Sequence, residues 1–240
     1  MRILITNDDG VEAAQLSALI KWASKLGEVT TFVPKYEQSG KSHSFEIKTP
    51  FEVKQVQLEE GITVWTVDST PADCVRMAVL GMGLSFDLVI SGINRGYNLG
   101  KDTMYSGTLA AATEAVTKGM KAIALSASVK YYDQAIKHLD EILHYLEENR
   151  LWERHILYNV NIPVNPRGIR ITRLGDASFS EEFIPMGNDL YFPGGKSLRA
   201  DGCDITQDTN ACALGYISIT PMTTDRTELA VYRALEELNP

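Results

Sequence analysis

The sequence predicts an α/β protein with a mostly parallel sheet, and three observations lead to this expectation. Short runs of β-branched and aliphatic residues, typical of strands buried on both faces, recur along the chain. Helical patterns separate these runs, and such alternation favours parallel strands joined by helices. With 240 residues, 44% of them hydrophobic and 22% charged, the chain is long enough for one large domain, alone or with an extension.

Composition excludes several classes of partner. The formal net charge of -8 and the pI near 5.1 argue against a nucleic acid polymer or an anionic membrane as the main partner. The three cysteines form no CxxC pair, so neither a disulfide framework nor a zinc knuckle is expected. No signal peptide and no apolar run of membrane-spanning length is visible. We therefore expect a cytoplasmic protein.

The first predicted unit is a strand, a turn and a helix. The run 3–5 reads as a buried strand, and the turn Asn7-Asp8-Asp9-Gly10 follows it. Apolar residues then recur at helical spacing over 16–26, and Gly27 ends the pattern. In a parallel α/β sheet, ligands bind at the carboxyl edge, where these two aspartates should lie. The alternative is that they only shape the turn and cap the helix.

The next stretch predicts further strands and one polar loop. Residues 29–33 and 62–67 read as strands, and 45–57 alternates imperfectly around a proline, as an edge hairpin or meander does. The polar loop 37–44 is long enough to carry function. A helix is predicted to start within 69–73 and to continue to Met82.

The middle of the chain repeats the strand–helix alternation. Residues 87–91 predict a buried strand that leads into a loop, 92–100, with glycines four residues apart. A helix of small residues should run from 106 to 118, followed by a strand at 122–125. An amphipathic helix is predicted over 133–149.

Beyond residue 150 the pattern changes. Strands are predicted at 156–162, 169–174 and 217–219, and the segment 225–228 resembles a capping box before a short terminal helix. Residues 176–215 look irregular, and such a long stretch needs an explanation. It is either a flexible loop or an arm that orders against a partner subunit. We therefore treat 1–240 as a single domain, with a core over 1–175, an extension or dimerisation arm over 176–215, and a final strand and helix over 216–240.

Polar residues that follow the predicted strands can meet in one crevice. Hard oxygen donors in this mixture suit Mg²⁺ or Mn²⁺ better than zinc. Gly107 and Thr108 lie at a predicted helix N-terminus, where free N–H groups favour an anion. A metal beside an anion site suggests phosphoryl chemistry, although each of these residues alone is an ordinary loop residue. The candidate donors are Asp8, Asp9, Ser39, Asn94 and Asn98, with His43 as the one nearby nitrogen ligand.

Several common motifs are absent from the sequence. Gly40-Lys41-Ser42 is not a P-loop, because the earlier glycine that it requires is Lys35. There is no GxGxxG, GxSxG or HExxH pattern, which disfavours dinucleotide binding and the commonest hydrolase signatures. The remaining histidines at 138, 144 and 155 are expected to be solvent-facing or structural.

Five blocks, in this order, resemble the SurE family of survival-protein nucleotidases, and they cover the first 125 residues densely. Looser matches follow at 159–163, 172–175 and 215–221. The five blocks are Ile5-Thr6-Asn7-Asp8-Asp9-Gly10, Glu37-Gln38-Ser39-Gly40 with Ser42-His43, Thr70-Pro71-Ala72-Asp73-Cys74, Ser91-Gly92-Ile93-Asn94-Arg95-Gly96 with Asn98-Leu99-Gly100, and Tyr105-Ser106-Gly107-Thr108.

The resemblance implies a Rossmann-like, three-layer domain with a C-terminal β-rich oligomerisation extension, assembled as a homodimer or a dimer of dimers. It implies metal-dependent hydrolysis of nucleoside 5′- and 3′-monophosphates, and some members also trim polyphosphate. One divalent cation per subunit would be held by residues that match the family's ligands: Asp8, Asp9, Ser39 and Asn94. The phosphate side would comprise Ser39, Gly40, Asn98, Ser106, Gly107 and Thr108, and the residues assigned to catalysis are Asp8, Asp9, Asn98 and Ser106.

The chain departs from the family pattern at a few positions. Gln15 and Ser69 each stand where a glycine is common, and Tyr36 stands where an arginine is common. None of these removes an expected ligand, but Tyr36 and Glu12 are close enough in sequence to the site to affect substrate preference. Tyr97 or Tyr105 can stack on a nucleobase, although tyrosines packed into loops are commoner.

The resulting hypothesis is attack of an activated water on phosphorus, with Asp9 favoured over His43 as general base because it neighbours the metal. Two other classes remain open. One is a non-catalytic metal and nucleotide sensor. The other is a receiver-like domain that takes up phosphate on Asp8 or Asp9, although no third acidic phosphoacceptor site is evident.

Overall fold

The computed structural model describes residues 1–58, 61–176, 179–196 and 202–238. Within these residues nine strands form one sheet, in the order β3-β4-β2-β1-β5-β6-β7-β11-β8 when the strands are numbered along the chain. Its strands are β1 (Arg2–Thr6), β2 (Glu28–Pro34), β3 (Val53–Gln57), β4 (Thr63–Val67), β5 (Leu88–Arg95), β6 (Lys121–Ala127), β7 (Leu157–Ile162), β8 (Ile169–Ile171) and β11 (Ile217–Pro221). Two further strands, β9 (Glu182–Gly187) and β10 (Leu190–Gly194), form a separate hairpin.

The sheet is mostly parallel, as predicted. Strands β4, β2, β1, β5, β6 and β7 run parallel to one another, whereas β3 and β11 are antiparallel to their neighbours β4 and β7. Strand β1 pairs with β2 on one side and β5 on the other, so the strand order reverses around it. The carboxyl end of β1 is therefore the point where an α/β sheet opens a ligand crevice.

Helices cover both faces of the sheet and give three layers. The described helices are α1 (Leu16–Ala23), α2 (Pro71–Arg76), α3 (Gly107–Thr117), α4 (Leu139–Glu148), α5 (Leu151–Arg154), α6 (Asp208–Ala213) and α7 (Leu229–Leu235). Strand β1 shows why a helix layer is needed on each face of the sheet. Ile3 and Ile5 belong to the core under α1 and α4, whereas Leu4 belongs to the core under α2 and α3. None of these helices is long and apolar enough to cross a membrane.

Helix α3 comes close to the sheet because its buried face is made of small residues. Ala111, Ala112 and Ala115 are fully buried against β5 and β6. Their short side chains let the helix N-terminus reach the carboxyl ends of the strands, and Ser106 caps it by accepting a hydrogen bond from Leu109 N at 3.0 Å. The helix thus delivers its first turn to the crevice.

Two predicted elements differ from the structure in the region of β5 and α4. The loop predicted over 92–100 is wrong in its first part, since β5 continues to Arg95 through a bulge between Ser91 and Asn94. The helix predicted over 133–149 is wrong at its start, because Tyr132–His138 form a 3₁₀ helix. In that helix Tyr132 and Ala135 both face the core. A 3₁₀ helix has three residues per turn, so residues three apart lie on the same face.

Three smaller predictions also differ from the structure. Within 45–57 only β3 is a strand, because the Glu46 carboxylate accepts three backbone N–H groups, from residues 47–49, and folds that segment into a turn. Helix α2 ends at Arg76 and continues as one π-helical turn. The capping box predicted at 225–228 is absent, because Glu228 itself caps α7 by accepting from Ala230 N.

The extension predicted as irregular contains regular elements. Residues 182–194 form the β9–β10 hairpin, and 208–213 form α6, which contacts β11. The parts of that extension at 177–178 and 197–201, and the terminal residues 239–240, lie outside the described residues. Every residue of β9 is exposed, so the hairpin packs little against the rest of the chain.

Candidate active site

The turn after β1 carries the two candidate carboxylates. Asn7 closes this turn, since its side chain donates to Gly10 O and accepts from Gly10 N, both at 3.0 Å. Gly10 has a φ of +87°, and a Cβ there would lie 3.1 Å from Tyr36 C, so only glycine fits this left-handed, closely packed position. The turn is therefore locked at both ends, with Asp8 and Asp9 between them.

Asp8 is buried and hydrogen bonded to the first turn of α3. Its Oδ1 accepts from the Thr108 hydroxyl at 2.6 Å, and its side chain is 4% exposed. Burial is the main reason why its pKa rises from 3.8 to about 6, and the nearby Asp9 carboxylate adds to the rise while the Thr108 hydrogen bond opposes it. A buried carboxylate of this kind gains strongly from a nearby cation.

Gly107 allows α3 to approach Asp8. A Cβ on Gly107 would lie 2.9 Å from Asp8 Cβ and 3.1 Å from Asp8 Oδ2. The glycine is thus required by space, and it lets the helix N-terminus face the carboxylate. No hydrogen-bond acceptor among the described residues meets the N–H groups of Gly107 and Thr108, which leaves two donors of the first helical turn for an anion.

Asp9 lies against the end of β5. Its Oδ2 accepts from Arg95 N at 3.2 Å, and burial raises its pKa. The adjacent Asn94 donates its Nδ2 to Gly96 O at 3.0 Å, and in the described part of the chain nothing donates to its Oδ1. The carboxylate of Asp9 and the amide oxygen of Asn94 thus come from neighbouring strands at the edge where β1 and β5 end.

The loop 37–44 joins the same crevice. Gln38 N donates to Asp8 O at 2.7 Å, so the loop is bonded directly to the turn after β1. Ser39 is exposed and donates its hydroxyl to Glu37 Oε1 at 2.7 Å, and Gly40 beside it has open space around its Cα. Ser42 N donates to Tyr105 O at 3.1 Å, which connects this loop to the segment that begins α3.

Asn98 is the centre of a buried hydrogen-bond network. Its Nδ2 donates to Thr108 Oγ1 at 3.2 Å and to Ser126 Oγ at 2.8 Å. The Asn161 side chain bonds to the backbone of Asn98 on both sides, since its Oδ1 accepts from Asn98 N at 2.8 Å and its Nδ2 donates to Asn98 O at 2.9 Å. The Asn159 side chain also donates to Asn98 O. A continuous chain therefore runs from β7 through Asn98 and Thr108 to Asp8.

The oxygen donors fit a divalent cation. Within the described residues, no group of three His, Cys, Asp or Glu side chains is arranged to hold a metal. A cation here would therefore have Asp8 and Asp9 as its charged ligands, supplemented by the hydroxyl of Ser39 and the free amide oxygen of Asn94. Two carboxylates with neutral oxygens suit Mg²⁺ or Mn²⁺, which accept oxygen ligands and retain water.

Three contributors were missed from the sequence. Glu37 lies close enough for its charge to raise the pKa of both Asp8 and Asp9, a role that its place in the block Glu37-Gln38-Ser39-Gly40 did not indicate. Asn159 and Asn161 were predicted to lie in a strand and in a looser match to the family, with no role in the site. The sequence did hold a signal for Asn159 and Asn161. They are polar residues at alternating positions of an otherwise apolar strand, 157–162, and alternating positions share one face of a strand.

The His43 ring is engaged by Glu114 and not by the carboxylate pair. Its Nε2 lies 2.9 Å from Glu114 Oε2, and Arg76 and Lys118 lie 3.2 Å and 3.1 Å from the other oxygen of that carboxylate. Burial opposes ionisation of Glu114, but His43 and Lys118 outweigh it and lower its pKa to about 2. This cluster fastens the 37–44 loop to α3.

The departures from the family pattern have local roles. Ser69 donates to Asp73 Oδ2 at 2.6 Å at the start of α2, and Gln15 is buried at the start of α1. Tyr36 and Glu12 are exposed. His155 bonds to Met222 O and His138 to the Tyr131 hydroxyl, in agreement with structural roles.

Comparisons with known proteins agree on one family. A family model described as Survival protein SurE matches residues 3–181. A 5′-nucleotidase SurE of Legionella pneumophila is 39% identical over 249 residues, covering 99% of this chain and 97% of the relative. One from Pelotomaculum thermopropionicum is also 39% identical, over 248 residues, covering 99% and 95%. The crystal structure of a SurE protein from Aquifex aeolicus is 30% identical and superimposes with a TM-score of 0.80 over 100% of both chains.

Proposed function

The chain belongs to the SurE family of survival proteins, and from this premise we propose that it is a metal-dependent 5′-nucleotidase. The reaction would release phosphate from nucleoside 5′-monophosphates, and also from 3′-monophosphates and short polyphosphate. The observation that carries the proposal is the position of Asp8 against the first turn of α3, with Asp9 next to it in the same turn. A cation site and an anion site then face each other in one crevice.

The proposed metal ligands are Asp8, Asp9, Ser39 and Asn94, with one Mg²⁺ or Mn²⁺ per subunit. When bound, the cation supplies Lewis-acid charge against the phosphate and lowers the pKa of water. The Ser39 hydroxyl donates its hydrogen to Glu37 Oε1, which leaves the lone pairs of its oxygen for the cation. Glu37 can in turn hold the Ser39 hydroxyl hydrogen while the oxygen faces the cation.

The phosphate would bind at the N-terminus of α3. The N–H groups of Gly107 and Thr108 point out of the helix start, and the helix dipole adds favourable potential for an anion. Ser106 and Gly40 border this position on two connected segments. Asn98 and the Thr108 hydroxyl orient Asp8 and the helix, because their side-chain hydrogen bonds are made within the protein. The free N–H groups of the first helical turn, held in place in this way, are preorganised to stabilise charge that develops in the transition state.

Asp9 is the proposed general base. It is half-buried beside the proposed ligands, whereas His43 Nε2 is engaged by Glu114. Because a general base must be deprotonated to act, Asp9→Asn should remove the limb on the acid side of the pH–rate profile, and His43→Ala should keep it. An unchanged limb in Asp9→Asn contradicts the assignment. Metal content must be measured for both variants, since Asp9 is also a proposed ligand.

The test of the function is phosphate release from nucleoside 5′- and 3′-monophosphates and tripolyphosphate, with Mg²⁺, Mn²⁺ or EDTA. We expect metal-dependent release that is lost in Asp8→Asn. The matched control is Asp87→Asn, an exposed aspartate at the opposite end of the sheet that accepts from Arg2 N.

Two other results would point to the alternative classes. Nucleotide binding without release under any metal would favour a sensor. A mass increase after acetyl phosphate, lost when Asp8 or Asp9 is replaced, would favour a receiver-like domain.

We also propose that the protein is a homodimer, or a dimer of dimers. Helix α7 has seven residues and none of them is buried, and its exposed apolar side chains include Leu229, Tyr232 and Leu235. A helix this short is unstable in water without packing, and the same is true of an isolated hairpin such as β9–β10. A second copy of the chain would cover both. Light scattering should give a multiple of the 26.6 kDa chain mass, and Leu235→Glu should lower it.

A cytoplasmic location remains a prediction, and three cysteines without a CxxC pair are consistent with a reducing compartment.

A further inference from the structure

Beside the candidate active site lies a cavity of about 600 Å³ whose walls are aromatic. One wall is Tyr105, and the other is formed by the base of the β9–β10 hairpin. Phe179, Phe183 and Phe192, three of the seven phenylalanines in the chain, line it. Each of these four rings is about half exposed or more, and together they form one apolar patch of the kind that marks a binding site.

Tyr105 connects this cavity to the phosphate side of the site. It directly precedes Ser106, Gly107 and Thr108, and its carbonyl accepts from Ser42 N in the loop that carries Ser39 and Gly40. The ring, which is 51% exposed, therefore stands at the rim shared by the crevice and the cavity. A ligand whose phosphate lies at the start of α3 would extend past this ring.

The hairpin wall is held in place at its base. Two hydrogen bonds join Ser180 and Lys196. Ser180 N donates to Lys196 O at 2.8 Å, and Lys196 N donates to the Ser180 hydroxyl oxygen at 3.0 Å. The Phe179 ring packs on Gly195, where a Cβ would lie 2.2 Å from it. These contacts position Phe179 and the base of the hairpin within the protein itself.

The charge of the cavity selects against a second anion. The described residues that line it include Glu181 and Glu182 but no lysine, arginine or histidine. Carboxylates accept hydrogen bonds from the exocyclic amino groups of bases, and aromatic faces stack on any base. A neutral, planar group with amino donors fits both features.

We propose that this cavity binds the nucleobase of the substrate, with Tyr105 and Phe192 as stacking residues. The inference rests on the proposed nucleotidase function and adds the part of the site that distinguishes a nucleotide from a simple sugar phosphate. The residues near the two ends of the hairpin, where it joins the rest of the chain, would then take part in substrate selection. The apolar tip of the hairpin remains available for a partner subunit.

The test compares AMP with ribose 5-phosphate, which has the same phosphoester and no base. The quantity is the ratio of kcat/KM for the two substrates, with saturating Mn²⁺, in wild type, Tyr105→Ala, Tyr105→Phe and Phe192→Ala. We expect the ratio to fall about tenfold or more in both alanine variants, because one base–aromatic stack contributes on that order. Tyr105→Phe should keep the wild-type ratio, since the ring remains.

Tyr191→Ala is the matched control. Tyr191 neighbours Phe192, is 64% exposed and does not line the cavity, so its replacement should leave the ratio unchanged. The inference is overturned if the ratio stays within twofold of wild type in both alanine variants. It is also overturned if Phe192→Ala changes only the oligomeric mass, since the cavity would then be a contact between copies of the chain.

Failure of the proposed function would look different. Wild type would then release phosphate from neither compound, and calorimetric binding of AMP and ribose 5-phosphate would replace the kinetic ratio. Tighter binding of AMP that is lost in Phe192→Ala would still support the nucleobase site. Equal binding of the two ligands by wild type would overturn it.

Discussion

Removing the charge of Asp8 should stabilise the metal-free protein while abolishing its activity. Burial raises the pKa of this carboxyl from 3.8 to about 6, so the folded state pays a free-energy cost whenever the group is ionised. The two pKa values differ by an amount equivalent to up to about 3 kcal/mol. In Asp8→Asn this cost disappears, and the amide oxygen can still accept from the Thr108 hydroxyl.

The sign of the pH dependence follows from linkage. Because the pKa is higher in the folded state, the wild-type protein loses stability as the pH rises from about 4 to about 6, and the loss is complete above that. Asp8→Asn should therefore match wild type near pH 4 and exceed it at pH 8. For a chain of this size, 3 kcal/mol corresponds to a rise in Tm of roughly 6–12 °C.

The assay is thermal unfolding in EDTA at several pH values, with Asp87→Asn as the control. Adding Mn²⁺ should raise the Tm of wild type, because a ligand that binds only the folded state stabilises it, and should not raise that of Asp8→Asn. A variant that is less stable than wild type at pH 8, or a difference that does not depend on pH, would refute the reasoning.

Three further predictions test the surroundings of this carboxylate. Gly107→Ala should lower stability by about 1–3 kcal/mol, because its Cβ would lie 2.9 Å from the buried Asp8 Cβ, and should lower kcat at least about tenfold by displacing that carboxylate; wild-type stability and kcat would contradict the packing. Glu114→Gln should lower the free energy of unfolding, measured in urea, by up to about 3 kcal/mol at pH 7. Because the pKa of Glu114 in the folded state is lowered to about 2, this loss of stability should disappear as the pH falls from 4.5 towards 2. A loss of stability that persists at pH 2 would contradict the ion pairs. Asn161→Ala should lower kcat more than it raises KM, by freeing Asn98 from β7, and an effect on Tm alone would reduce Asn161 to a structural role.

Much of the fold could be predicted because its signals are local. The run 3–5 is apolar at consecutive positions, and the structure places Ile3 and Ile5 on one core and Leu4 on the other. The segment 133–149 shows the limit of such signals, since its periodicity predicts a helix but the burial of Tyr132 and Ala135 decides that its first turns are 3₁₀. The hairpin at 182–194 was missed because its exposed strands lack the alternation that burial imposes on a sequence.

The sequence by itself determined which chemistry is available at the site. Asp8 and Asp9 after a buried strand, and Ser106-Gly107-Thr108 at a helix start, need only local patterns to be recognised. Only the tertiary structure decided how these groups are held. The contact between Thr108 and Asp8 spans 100 positions and that between Asn98 and Asn161 spans 63, so no local pattern encodes them. Likewise, the charge environment of Asp8 and the aromatic cavity beside Tyr105 arise from burial and packing, which depend on the whole chain.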